Sequence, residues 1–76
     1  FNSTQVYPNP AVDFINISSD YIIESVTLIS TSGQILKSDV TEAMNYSFSV
    51  RDIPSGLYLV LIRTDNGSLT KRIFVK

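Results

Sequence analysis

Hydrophobic positions in this chain of 76 residues recur mostly at a spacing of two, in short bursts, and nowhere at helical spacing over a useful length. In VDFINIS (12–18), Ile15 and Ile17 face one way and Phe14 the other. In IIESVTLIS (22–30), Val26 and Leu28 alternate with Ser25 and Thr27. In YSFSV (46–50), Tyr46, Phe48 and Val50 share a face opposite Ser47 and Ser49. Only EAMNY (42–46) is helix-friendly, and it is too short to nucleate. Turn residues punctuate the chain every eight to twelve positions, the spacing of a sandwich or barrel. The pattern therefore predicts an all-β fold. Its seven strands would be a weak edge segment at 5–7, then 12–18, 22–30, 34–40, 45–50, 57–65 and 68–75.

The sharpest local signals lie at the two ends. Asn66-Gly67, inside DNGS (65–68), is the preferred pair for a two-residue type I′ hairpin loop. That loop would set Thr64 opposite Leu69, Ile62 opposite Lys71, Val60 opposite Ile73 and Tyr58 opposite Val75. One face then carries Tyr58, Val60, Ile62, Leu69, Ile73 and Val75. The other carries Leu57, Leu59, Leu61 and Phe74, bordered by Arg63, Arg72 and Lys76. Such a hairpin is apolar on both sides. It is either a central strand pair covered on both faces or an apolar docking patch with a basic rim. Near the start, VYPNPAVDF (6–14) sets two prolines around Asn9, which bars it from the middle of a sheet. It reads as a rigid turn that ends a linker, with Asn9 held extended by the following proline.

Composition removes most function classes. The length suits one domain, and so small a domain has little stability to spare for a buried polar site. There is no cysteine and no histidine, so disulfides, thiolate metal sites and a histidine-activated serine are excluded. The carboxylates stand singly, and DNG at 65–67 lacks the later ligands of a calcium loop. A net charge of −1 argues against nucleic acid. The longest apolar run, Leu57–Ile62, is six residues, far short of the ~20 of a membrane-spanning helix. Asn2, Asn16, Asn45 and Asn66 begin Asn-X-Ser/Thr triplets, which a Ser/Thr-rich β protein produces by chance. The chain opens at Phe1 with no signal peptide, so a piece of a longer protein is expected. No enzyme and no cofactor is expected.

Five stretches stand in a familiar order: YPNP (7–10), INI (15–17), VTLISTSGQIL (26–36), IPSGLYLVLI (53–62) and LTKRIFVK (69–76). Together they resemble the C-terminal sorting domain of type IX (Por) secretion cargo from Bacteroidetes. The resemblance covers residues 6–76, leaving 1–5 as the end of a linker. It implies a seven-stranded immunoglobulin-like β-sandwich that serves as an address rather than a catalyst. Cargo attached N-terminally would pass through the periplasm to the outer-membrane type IX translocon. A sortase-like surface peptidase would then remove the domain, leaving the cargo released or at the cell surface.

Carried residue by residue, the family's opening falls on Pro8, Asn9 and Pro10, and its central glycine on Gly33. Its Pro-X-Gly-X-Tyr element falls on Pro54, Gly56 and Tyr58. The basic-apolar ending falls on Lys71, Ile73, Val75 and Lys76, with Arg72 competing with Lys71 for the basic position. Two alternatives stay open, a carbohydrate-binding accessory module and a plain immunoglobulin-like spacer. Open too is a homodimer through the 57–62 face.

Overall fold

The computed structural model describes residues 4–8 and 10–76; the readings placed on Asn2 and Asn9 lie outside them. Among the described residues, five strands form one antiparallel sheet: β1 (Thr4–Tyr7), β2 (Phe14–Ser30), β3 (Ile35–Ser49), β4 (Gly56–Thr64) and β5 (Gly67–Val75). β2 is its spine. β3 follows one edge of β2 from Phe14 to Ile29. The other edge pairs first with β1, at Asn16–Ser19, and then with β4, at Ile23–Ser30.

The expected count of seven strands is corrected to five. Segments 12–18 and 22–30 are one strand, and so are 34–40 and 45–50. The reason is visible in the chain: neither 14–30 nor 35–49 contains a glycine or proline, so nothing ends the ladder. The strands bend instead of stopping. Fully extended, the 17 residues of β2 would span about 56 Å, yet the longest dimension of the molecule is 30 Å. Register shifts between Ser18, Ile23 and Ser25 absorb the curl. Ser19 stabilises it, because its buried hydroxyl accepts from the Tyr21 amide at 3.0 Å and meets Thr4 Oγ1 at 3.1 Å.

Curling brings the inner sides of both halves of the sheet onto one core. Ile15 and Ile17 from the first half join Val26, Leu28, Val60, Ile62, Ile73 and Val75 from the second, all at most 3% exposed. Phe48 and Val50 complete it from the end of β3, with Tyr46 packed beside Phe48. The alternation expected for 14–17, 25–28 and 46–50 holds at each of these positions.

The last hairpin has a different register from the one expected. Thr64 pairs with Gly67, Ile62 with Leu69, Val60 with Lys71 and Tyr58 with Ile73, so the tip is Asp65-Asn66. A type I′ loop needs positive φ at both central residues, and no described non-glycine residue has it. Gly67, at φ +122°, takes the unusual conformation just after the tip. The Thr64 hydroxyl donates to the Gly67 carbonyl at 2.8 Å and accepts from the Asn66 amide at 3.1 Å, closing the loop one residue early. Each partner moves by two, which preserves the period of the strand. The inward set is therefore unchanged.

Candidate recognition surface

The β4–β5 hairpin is the element with two apolar faces, and the structure buries only one. Tyr58, Val60, Ile62, Ile73 and Val75 enter the core. On the outer side, Leu57 sits directly opposite Phe74, each 46% exposed. Leu59 and Leu61, half-buried, continue the stripe toward the tip and lie beside Ile29 and Thr27 of β2. Ile29 in turn pairs with Ile35 of β3, 64% exposed. An apolar band thus crosses four strands on the outer face.

Its border is basic. Arg63 lies opposite Ser68, Arg72 opposite Leu59, and Lys76 follows β5; all three cations are exposed. β4, β5 and Lys76 together hold four of the six cations of the chain and none of its carboxylates. The other two cations are paired: Lys37 Nζ lies 3.1 Å from Asp52 and Arg51 Nε 3.5 Å from Asp13. The Lys37 ammonium draws the Asp52 carboxyl below its ordinary range. Among the described residues, no ion pair involves Arg63, Lys71, Arg72 or Lys76. The hairpin's positive charge is therefore not neutralised within the domain.

The residues nominated from the sequence separate into distinct positions. Lys71 and Arg72 point to opposite sides: Lys71 is half-buried opposite core Val60, and Arg72 is on the outer band. Ile73, Val75 and Tyr58 are core residues that hold the hairpin rather than present it. Tyr58 also donates its hydroxyl to the Pro54 carbonyl at 2.6 Å, tying the loop before β4 to the strand itself. Gly56, at φ +157°, makes the entry to β4, its Cα side facing the Tyr58 ring. Gly33 sits in the exposed turn between β2 and β3, donating its amide to the Ser30 carbonyl at 2.9 Å.

Pro8 and Pro10 are exposed, and Tyr7–Pro8 is a cis peptide. Pro8 follows β1 and Pro10 precedes Ala11, so each adjoins a segment held in the sheet. Ala11 had no signal in the sequence, being one small residue outside any periodic run. It is 0% exposed and bridges Val75 in parallel. Its amide donates to the Phe74 carbonyl at 2.7 Å, and its carbonyl accepts from the Lys76 amide at 2.7 Å. Ser30 pairs with Tyr58, and Gly56 with Val75. Pro10, Gly33, Pro54, Gly56 and Lys76, scattered through the chain, therefore gather at one end of the sheet, away from the Asp65-Asn66 tip.

No curated protein matches the chain. Residues 5–76 match the family of the secretion system C-terminal sorting domain, a family of sorting signals rather than of enzymes. With that match spanning nearly every residue, the chain belongs to the type IX secretion C-terminal sorting domains, whose role is to mark an attached protein for export.

Proposed function

We propose that the export machinery grips this domain by the outer face of its β4–β5 hairpin: Leu57, Leu59, Leu61 and Phe74, with Arg72 and Lys76 at the rim. The observation that carries the reading is the half-exposed Leu57–Phe74 pair on a strand pair whose cations have no internal partner. Exposed apolar surface costs a marginal domain solubility and is kept where a partner covers it, and unneutralised charge beside it steers that partner. The cargo precedes the domain in the same precursor, and the folded sorting unit takes in β1 from Thr4 onward, two residues ahead of the expected 6–76. Export proceeds through the periplasm and the outer-membrane translocon of a Bacteroidetes cell. A sortase-like surface peptidase then cuts upstream, leaving the cargo at the surface or free.

Pro8, Pro10, Gly33, Pro54 and Gly56 shape the end of the sheet beside Val75 and Lys76. Tyr58, Ile73 and Val75 hold the strand pair in place, while Lys71 serves the inner side. The Tyr58–Pro54 bond has the form of the tyrosine corner of immunoglobulin-type sandwiches, which supports reading the two halves of the curled sheet as the layers of such a fold. A homodimer would use the same outer band, so covering by a translocon subunit and by a second copy exclude each other.

The test is a reporter protein fused ahead of residues 1–76 in a type IX-secreting host. Phe74→Ser with Arg72→Glu removes exposed surface and leaves the core side chains in place. With unfolding midpoints matched to the parent, external reporter should fall at least tenfold. Undiminished export by the folded variant would refute the assignment.

A further inference from the structure

The outer face of the other half of the sheet has a different chemistry. There β1, β2 and β3 set Tyr7, Asn16 and Ser47 in one cross-strand row, and Gln5, Ser18 and Asn45 in the next. None of the six is charged, although outward strand positions are the usual place for Lys and Glu. An open cleft of about 190 Å³ lies here, lined by Tyr7, Asn16, Ile17, Asn45, Tyr46 and Ser47. Tyr7 is 47% exposed. Tyr46 is anchored by donating its hydroxyl to Asp39 and by packing on Phe48, ring centroids 6.2 Å apart. Among the described residues, the Asn16 and Asn45 amides and the Ser47 hydroxyl make no hydrogen bond within the chain, leaving their donors and acceptors open to the cleft.

We infer that this cleft is a subsite for one ring of a neutral saccharide. The ligand must offer hydroxyls on both sides to meet two amides, each of which both donates and accepts. It must also offer an apolar ring face to the exposed tyrosine. Asn16 and Asn45 lie on neighbouring rows of paired strands, roughly 7–8 Å apart as diagonal neighbours, a gap that one pyranose ring bridges. A charged sugar finds no counter-charge in the lining, and an added peptide strand would pair along the outer edge of β1 or β3, beside the cleft rather than over it. Tyr7, Asn16, Asn45 and Ser47, scattered in the sequence, become one surface only through the β1–β2–β3 pairing.

Amide NMR titration of the 76-residue domain with methyl glycosides of neutral hexoses and of N-acetylglucosamine, with glucuronate for comparison, tests this. Shifts should centre on residues 7, 16–17 and 45–47 for at least one neutral sugar, with a Kd on the order of 1 mM and weaker binding of glucuronate. Tyr7→Ala should weaken binding roughly tenfold, and Asn45→Ala severalfold, in domains whose remaining spectra are unchanged. Silence from every sugar in the set, equal binding of glucuronate, or undiminished binding by Tyr7→Ala would overturn the inference. The result is independent of export, which runs on the opposite half of the sheet.

Discussion

Single residues show how little this domain has to spare. Gly56 holds φ +157°, a conformation side chains resist, while a Cβ there would meet the Tyr58 ring at an ordinary 3.7 Å. The cost of replacing it is thus backbone strain, not crowding. Gly56→Ala should destabilise by about 1 kcal/mol or more. Tyr58→Phe should cost about 1–2 kcal/mol, because the Pro54 carbonyl loses its donor. Urea denaturation of both variants checks the pair; a neutral Tyr58→Phe would make the corner incidental. Tyr46 supplies a pH signature. Partial burial and then the Asp39 carboxylate push its hydroxyl up to about 12. The unfolded chain loses that proton near 10, before the folded one does, so Tyr46's stabilising contribution is complete below pH 10 and disappears as pH climbs toward 12. Tyrosinate absorbance should show a component near 12 that Tyr46→Phe removes.

At the scale of elements, the sequence revealed where strands lie more readily than how they end. Period-two patterning placed Ile15, Ile17, Val26, Leu28, Phe48 and Val50 on their correct sides, because side-chain direction follows the backbone pleat. Strand number is hidden because a bend without glycine or proline has the same polar look as a turn: Ser18-Ser19-Asp20 continues one ladder. The hairpin tip is ambiguous in the sequence because Asn-Gly also suits a turn closed by glycine, which a Thr64 hydroxyl bond selects. The two-sided hairpin itself was legible, and with it most of the candidate surface. The Ala11 latch was not, since a parallel bridge between chain ends leaves no periodic trace. Ala11→Pro removes the donor to the Phe74 carbonyl. Hydrogen exchange should then speed up at Lys76 and Val75 first, with β2 and β3 amides little changed. Uniform acceleration across the sheet would instead make Ala11 part of the global core.

For the whole molecule, curling one sheet gives two outer faces from a chain too short for two domains. One is neutral and rich in amides. The other is apolar with a cationic border, while the carboxylates lie on the bend, the β3 side, the loops and the hairpin tip. That segregation leaves a domain of net charge −1 with an exposed cationic strand pair, the charge pattern that the proposed export partner would have to complement. Cutting off Ile73–Lys76 would be a poor probe of this surface. Ile73 and Val75 are each 1% exposed, so the truncation removes core together with surface. The most direct measurement is photocross-linking in living, exporting cells, with a photoreactive residue at Leu57, at Phe74 or at Ser47 of an otherwise intact domain. The account predicts covalent adducts to outer-membrane export components from positions 57 and 74 and none from 47. Adducts from 47 alone, with 57 and 74 silent in cargo that still leaves the cell, would contradict it.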